Sequence, residues 1–172
     1  VYDMSDNDVI SEDSTPPALS PGKFLVCVDK SPVSRVALHF ACVKAKKRGG
    51  LVDMLHIMEP PADFQGLAAV ADKMREERRE EAEELMQELA EDAGKAGIMP
   101  SILLREGSIG EAIIGAVQED FDVKMLVLGA APSNSGRGKL VGWLGNQLGD
   151  KLLIPLMLVP GNLTEQQIEE LS

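Results

Sequence analysis

The segment at residues 23–50, KFLVCVDKSPVSRVALHFACVKAKKRGG, determines the fold class. Its apolar run at residues 24–28 is continuous, which is typical of a strand covered on both faces. Ser31 is a favourable helix N-cap and Pro32 a favourable first helical residue, and apolar residues then recur at helical spacing. The pair of glycines at 49–50 predicts the helix end. The segment therefore predicts one buried strand followed by one helix.

The same unit recurs along the chain. Further strands are predicted at 51–57, 101–105, 125–128 and 155–159, and further helices at about 66–93, after 107–108, and near 143–153. Strands that alternate with helices indicate a parallel α/β sheet, because parallel neighbours need crossover connections. The charged run at 75–84 predicts i,i+4 ion pairs on a solvated helix face.

The final residues carry a helix signal of their own. Thr164 and Gln167 have the spacing of a capping box, and Ile168 and Leu171 follow as a small apolar edge. A short C-terminal helix that docks on its own subunit or on a partner is therefore expected.

The charge of the chain lies at its periphery. Of 172 residues, 17 are Lys or Arg and 28 are Asp or Glu, so the net charge is −11. Residues 1–22 contribute −5, residues 72–92 contribute −6 and residues 161–172 contribute −3. This balance disfavours nucleic-acid backbones as partners. The predicted organisation is a disordered acidic arm at 1–22, an α/β domain at 23–160 and a helical tail at 161–172.

Compartment and redox state follow from the remaining composition. The apolar stretches are too short for a bilayer, so no membrane partner is expected. No signal-like leader opens the sequence, which predicts a cytoplasmic protein. Cys27 and Cys42 lack CxxC spacing and are predicted to be free, buried thiols.

A ligand site is expected where strands end. In an open parallel sheet, small molecules bind beyond the carboxyl ends of strands, which selects Asp29, Ile57 and Gly129. The loop after Gly129 is rich in glycine and carries two cations, so it suits an anion, although it matches neither the Walker A nor the GxGxxG pattern. A surface loop without a ligand remains the alternative. The candidate loop residues are Gly136, Arg137, Gly138, Lys139 and Gly142.

Several motifs together resemble the universal stress protein family. VCVDKS at 26–31, LHI at 55–57, REGSIGEAI at 105–113, VLGA at 127–130 and IPLMLVP at 154–160 are similar to family segments in the same order. The resemblance implies a five-stranded parallel sheet of order 3-2-1-4-5 with helices on both faces. It also implies a homodimer in which fifth strands meet, with Leu156 and Leu158 in the contact.

The resemblance also bears on ATP. Family members that bind ATP carry a G-x2-G-x9-G-[ST] loop, whose positions here are Gly129, Pro132, Gly142 and Trp143. Pro132 has no N–H for a phosphate, and Trp143 replaces a hydroxyl with a large ring. ATP is therefore a possible cofactor rather than a required one.

Two functional hypotheses lead, and a third, a nucleotide-processing enzyme of the same α/β class, requires turnover that depends on Asp29. Pro132 and Trp143 favour a regulatory or protective homodimer that recognises other proteins and retains a degenerate nucleotide pocket. The alternative is an ATP- or AMP-binding stress-signalling switch, which Asp29, Ile57, Gly129 and Gly142 support. In the alternative, Lys30 contacts a phosphate; otherwise it points to water. No catalytic residue or metal ligand is predicted, because Asp29 has no evident base or nucleophile beside it.

Overall fold

The described residues, 21–60, 68–131 and 149–172 of a computed structural model, form five strands and four helices. In chain order, these elements are β1 Lys23–Cys27, α1 Pro32–Arg48, β2 Leu51–Met58, α2 Ala68–Lys95, β3 Ser101–Glu106, α3 Ile109–Glu119, β4 Val123–Ala130, β5 Leu156–Pro160 and α4 Glu165–Leu171. The acidic arm up to residue 20 and the glycine-rich loop from Pro132 onward lie outside these ranges, as does most of the helix expected near 143–153.

The strands pair in parallel in the order β3-β2-β1-β4-β5. The central strand β1 has β2 and β4 as neighbours, and its Val26 lies opposite both Met54 and Val127. This arrangement confirms the predicted 3-2-1-4-5 sheet. The chain leaves β1 toward β2 and later returns to the other side of β1 as β4, so the strand order reverses between β1 and β4.

Helix α1 follows the sequence signals closely. Ser31 is its N-cap with extended backbone, Pro32 occupies the first turn, and Gly49 ends it at φ 69°. The positive φ favours glycine, and the N–H of Gly49 bonds back to carbonyls of the last turn. Both predicted boundaries are therefore confirmed. Helix α2 runs slightly beyond its expected end, through Gly94 to Lys95.

Apolar side chains cover both faces of the sheet. On one face, α1, α2 and α4 pack on the sheet through Leu38, Met86, Leu89 and Ile168. On the other face, Ile113 and Ala116 of α3 pack against strand residues such as Leu25 and Leu126. The predicted helices on both faces are confirmed, and the run at 24–28 is continuous because side chains on each side of β1 are buried.

The charged run of α2 makes more long-range ion pairs than expected. Arg79 and Glu83 form the anticipated i,i+4 pair. Arg75, however, reaches Glu106 at the end of β3, and Arg35 of α1 binds both Glu88 and Asp92. Arg75 of the run, together with Glu88 and Asp92 beyond it, therefore ties α2 to its neighbours, which helical spacing alone did not predict.

A buried carboxylate lies at the amino edge of the sheet. Asp53 of β2 is 4% exposed, and its Oδ1 atom has no hydrogen-bond partner among the described residues. Its Oδ2 atom lies 3.7 Å from the Lys23 ammonium, which also binds Asp120 at 2.6 Å. Lys23 is therefore the cation that compensates two carboxylates. The hydrogen bond from Lys23 holds the pKa of Asp120 below its usual range, and Asp120 raises the pKa of Lys23.

Replacement of Lys23 by Met is expected to lower the free energy of unfolding at pH 7 by about 2 kcal/mol, because Asp53 loses its buried counter-charge. Lys23 also stabilises the charged form of Asp120, whose pKa is lower in the folded than in the unfolded chain, so this second contribution is present above the ordinary Asp value of about 4. It is lost as the pH falls through the lowered folded value. Urea denaturation between pH 7 and pH 3 measures both effects.

The matched control for this prediction is Lys124→Met, which removes an exposed lysine bonded to a backbone carbonyl. We expect it to change the unfolding free energy by less than about 0.5 kcal/mol at every pH. Equal losses for the two variants would contradict the role assigned to Lys23.

Candidate functional site

A crevice opens at the carboxyl edge of the sheet, where the strand order reverses between β1 and β4. It contains a cavity of about 110 Å³. We call it the switch-point crevice. Its wall consists of residues from the ends of β1, β2 and β4 and from the first turns of α1 and α3: Cys27, Val28, Asp29, Ser31, Ser34, His56, Ile57, Ile109, Leu128 and Gly129. The structure therefore brings together three of the predicted site residues, Asp29, Ile57 and Gly129.

The first turn of α1 orients Asp29. One carboxylate oxygen, Oδ1, accepts a hydrogen bond from the Ser31 backbone N–H at 2.7 Å and a second bond from the Ser31 hydroxyl. The Asp29 backbone N–H in turn donates to the Ser34 hydroxyl at 2.8 Å. These bonds hold the carboxylate at the crevice in one orientation. The sequence indicated Ser31 only as a helix cap, and no sequence signal marked Ser34 as part of the candidate site.

His56 supports the same segment from the neighbouring strand. Its Nδ1 atom lies 2.8 Å from the Val28 carbonyl oxygen, and the Val28 N–H donates to the Leu55 carbonyl at 2.8 Å. A carbonyl oxygen can only accept, so Nδ1 carries the proton in this bond. The contact follows from parallel register, because Cys27 lies opposite Leu55 and the next residue on each strand is therefore adjacent. Periodicity along the chain contained no signal for this contact.

A second cavity, of about 540 Å³, adjoins the crevice and shares His56 and Ile57 with it. Its outer wall comes from α2, through Arg78 and Glu81. Lys30 bridges the two sides, since its ammonium lies 2.8 Å from Glu81. The hydrogen bond and charge of Lys30 lower the pKa of Glu81. The sequence was compatible with Lys30 at a phosphate or in water, whereas the structure pairs it with Glu81 of α2.

Arg78 also connects α2 to the rim of this second cavity. Its guanidinium donates to the Glu59 backbone carbonyl at 2.8 Å, just beyond the end of β2. The arginine and Lys30 therefore hold α2 over the carboxyl ends of β1 and β2. None of the α2 residues that line this cavity, Arg78, Glu81 and Ala82, was selected from the sequence, because a charged helix face does not reveal which strand ends it will meet.

Gly129 allows α1 to approach β4 closely. A Cβ atom at this position would lie 2.6 Å from Val33 Cγ1 and 2.8 Å from the Val33 carbonyl oxygen. Real Cβ atoms do not approach other heavy atoms so closely, so any side chain here would displace the first turn of α1. The glycine that sequence analysis selected for ligand approach is thus also required for packing.

The two thiols are poor nucleophiles. Both cysteines are free, and burial raises the pKa of Cys27 and of Cys42 to about 12. The nearby charge of Asp29 adds to the effect at Cys27. A thiol with such a pKa is protonated at neutral pH, and only the thiolate attacks substrates or binds metals.

The remaining predicted site residues, Gly136, Arg137, Gly138, Lys139 and Gly142, lie outside the described residues, as do Pro132 and Trp143. Within residues 21–60, 68–131 and 149–172, no group of three or more His, Cys, Asp or Glu side chains is placed to hold a metal ion. In the same ranges, no helix has the length and hydrophobicity that a bilayer crossing requires.

Comparison with known proteins gives a consistent family relationship. Residues 21–160 match the sequence profile of the Universal stress protein family. No curated protein sequence matches the chain significantly. The solved structure of the universal stress protein UspA from Lactobacillus plantarum superposes with a TM-score of 0.68 at 17% identity, over 80% of this chain and 97% of that one.

Two similar structures contain nucleotides. A universal stress protein family member from Arabidopsis thaliana with AMP bound has a TM-score of 0.57 and 16% identity, over 84% of this chain and 95% of that one. The Archaeoglobus fulgidus universal stress protein in complex with dAMP has a TM-score of 0.55 and 20% identity, over 80% and 96% respectively. At these identities the likeness establishes the fold alone.

Substitution of Gly129 by Ala is expected to lower the free energy of unfolding by about 1–3 kcal/mol, because the added methyl overlaps the Val33 backbone. The control is Gly94→Ala, since a Cβ at Gly94 would meet no atom within 4 Å. Gly94 lies inside α2, so alanine there is expected to stabilise the protein by up to about 1 kcal/mol. Urea denaturation measures the free energy of unfolding of both variants. An unchanged value for Gly129→Ala would contradict the packing role of Gly129.

Proposed function

The chain belongs to the universal stress protein family. From that premise we propose that it is a non-catalytic, homodimeric regulator of the stress response. We propose that its switch-point crevice binds an adenine nucleoside monophosphate. The observation that carries this proposal is the placement of an oriented carboxylate, Asp29, beside the apolar Ile57 and across from Gly129. Such a site combines a hydrogen-bond acceptor for sugar hydroxyls with a flat apolar wall for a base.

The shape of the site supports a ligand with two parts. The crevice of about 110 Å³ and the adjoining cavity of about 540 Å³ meet at His56 and Ile57. A nucleoside that spans this junction would contact Ile57 in both cavities. The structural relatives crystallised with AMP and dAMP support an adenine nucleotide as the ligand class.

The preference for a monophosphate rests on the two departures in the loop. Pro132 offers no N–H to a phosphate, and Trp143 offers no hydroxyl where the triphosphate-binding pattern has Ser or Thr. Lys30, which directly follows Asp29 in the sequence, is already paired with Glu81. Fewer groups therefore remain to neutralise a long polyphosphate than in a complete triphosphate site.

A regulatory rather than catalytic role is supported by the chemistry of the crevice. The thiol nearest to Asp29 has a pKa of about 12 and is not a nucleophile at neutral pH. The Oδ1 atom of Asp29 accepts two bonds from Ser31, which fix the orientation of the carboxylate toward a ligand in the crevice. We therefore assign it to ligand recognition.

The dimer contact is proposed at β5. This strand lies at the edge of the sheet and pairs only with β4 among the described strands. Two of its leucines, Leu156 and Leu158, remain 38% and 39% exposed, and Leu153 just before it is 90% exposed. An apolar edge strand with unpaired backbone groups is a surface that proteins usually cover. A second copy of the same strand, related by a twofold axis, would cover it.

We place the protein in the cytoplasm. Both cysteines are free thiols, as is typical of proteins in a reducing compartment. Fractionation of the cells that produce the protein tests this assignment directly.

Nucleotide binding can be tested by calorimetric titration of the full chain with AMP and with ATP·Mg²⁺. We expect submillimolar affinity for AMP and weaker binding of ATP. Asp29→Asn keeps the oxygen that accepts from Ser31 but removes the charge, and we expect it to weaken AMP binding about tenfold, as for the loss of one charge-assisted hydrogen bond. The control is Asp72→Asn, an exposed carboxylate on α2.

Two results would count against this assignment. An absence of heat at millimolar AMP would refute nucleotide binding. It would favour the other hypothesis, a protein-interaction module with a degenerate nucleotide pocket. Tighter binding of ATP than of AMP would show that Pro132 and Trp143 do not obstruct a triphosphate.

The dimer has its own test by light scattering. At micromolar concentration we expect a dimer mass for the native chain and a monomer mass for the variant that combines Leu156→Lys with Leu158→Lys, because the charges repel across the twofold axis. Leu171→Lys, at a 62% exposed position on α4, is the control and is expected to remain dimeric. A native monomer, or a double variant that stays dimeric, would refute the β5 contact.

A further inference from the structure

A cluster of cations lies at the amino edge of the sheet, on the side opposite the switch-point crevice. Helices α1 and α2 both start at the carboxyl edge and return, so their last turns lie side by side at the amino edge. We call this cluster the basic rim. It consists of the cations at the C-terminal ends of these two helices: Lys44, Lys46, Lys47, Arg48 and Lys95.

Acidic residues of the described ranges neutralise the basic rim only in part. Lys47 pairs with Glu169 of α4 at 3.2 Å, and Lys95 pairs with Asp92 at 3.1 Å. Neither Lys46 nor Arg48 has a carboxylate within ion-pair distance in residues 21–60, 68–131 and 149–172. The pKa of Lys44 is lowered by burial and by the charges of Arg48 and Lys47. Like charges are therefore crowded here, in a chain whose net charge is −11.

The helix dipole explains some of these cations but not their number. A positive side chain near a helix C-terminus is favourable, and one suffices for α2. Helix α3 ends with no basic residue in its last turn. Helix α1, in contrast, has three basic residues in its last turn, at 46–48, with Lys44 just before them.

A groove accompanies the charge. Between α1, α2 and α4 lies a cavity of about 550 Å³, whose wall includes His39, Lys46, Lys47 and Lys95, with Glu165 and Glu169 of α4 also on it. Lys46 extends across the end of α2, because its ammonium lies 3.0 Å from the position of a Cβ built on Gly97. The side of this groove that α1 and α2 form is therefore basic.

The N-terminal segment enters the fold next to the basic rim. The Leu51 N–H donates to the Gly22 carbonyl at 3.1 Å, and the Gly22 and Pro21 carbonyl oxygens lie 3.1 and 3.6 Å from a Cβ built on Gly50. Pro21 therefore lies against Gly50, the second of the two glycines that follow α1. The preceding residues 1–20 contain five acids and no Lys or Arg: Asp3, Asp6, Asp8, Glu12 and Asp13.

We propose that residues 1–20 bind the basic rim of their own subunit, with their carboxylates on Lys46 and Arg48 and part of the segment in the adjoining groove. An extended chain spans about 3.3–3.6 Å per residue, so Glu12 and Asp13 reach the rim from residue 21 with chain to spare. The covalent link gives the segment an effective concentration on the order of millimolar, which allows weak, screened ion pairs to add up.

The test places a spin label on the segment and observes the rim by NMR. Ser5→Cys is labelled with a nitroxide at neutral pH, where Cys27 and Cys42 are protonated because of their pKa of about 12. At about 0.01 M salt, where the Debye length is about 30 Å, we expect the backbone amide signals of Lys46, Arg48 and Lys95 to lose about half of their intensity or more. At about 1 M salt, where that length is about 3 Å, the intensity should return.

Two charge variants and a matched control sharpen the result. Neutralisation of the five acids by Asn and Gln, or of the rim by Lys46→Gln with Arg48→Gln, should abolish the intensity loss. Lys73→Gln with Arg79→Gln removes the same charge from the first half of α2, at the other edge of the sheet, and should leave the loss unchanged.

Three outcomes would overturn the proposal. The first is an absence of intensity loss at the rim in low salt. The second is a loss that survives neutralisation of the five acids, since contact would then not be electrostatic. The third is an equal loss in a mixture of spin-labelled chains at natural isotope abundance with ¹⁵N chains that carry no spin label, because the segment would then bind a second copy.

Discussion

The close approach of α1 to β4 is the contact on which the site depends. Val33, in the first turn of α1, lies where a side chain at residue 129 would otherwise be, so only glycine fits at that position of β4. Asp29 is hydrogen-bonded to Ser31 and Ser34 of the same helix start, so the position of α1 on the sheet also sets where this carboxylate lies. Gly161, just after β5, leaves room for the same valine side chain, since a Cβ atom built on Gly161 would lie 2.8 Å from Val33 Cγ2. One packing contact therefore positions the carboxylate, the helix start and the ends of two strands.

The two edges of the sheet have different electrostatic organisation. At the carboxyl edge, α2 is attached by single ion pairs and hydrogen bonds, from Lys30 to Glu81 and from Arg78 to the Glu59 carbonyl, around open cavities. At the amino edge, Lys23 compensates the buried Asp53 within a closed layer. Exposed ion pairs such as Lys30–Glu81 contribute little to the free energy of unfolding. Removal of the partner of a buried charge such as Asp53 lowers that free energy substantially. The open, weakly paired edge and the edge with the buried carboxylate are therefore separated by the length of the strands.

Much of the fold could be predicted from local signals. The start of α1 at Ser31 and Pro32 and its end at Gly49 follow from capping chemistry, which acts over only a few residues. The capping box of Thr164 and Gln167 is present for the same reason. The strand order 3-2-1-4-5 came from the resemblance to a family, since alternation of strands and helices indicates a parallel sheet without specifying its order. Asp29, Ile57 and Gly129 could be selected because each follows or ends a strand.

The amino-acid sequence by itself determined where the strands and helices of the described ranges lie, which of them are buried, and that Asp29, Ile57 and Gly129 come at the carboxyl ends of strands. These are consequences of periodicity and capping, which need no knowledge of distant partners. Only the tertiary structure decided that His56 holds the Val28 carbonyl, that Lys30 binds Glu81, and that Gly129 makes room for Val33. Each of these contacts joins residues on different elements. Strand register and helix docking set such distances, and no spacing along the chain specifies them.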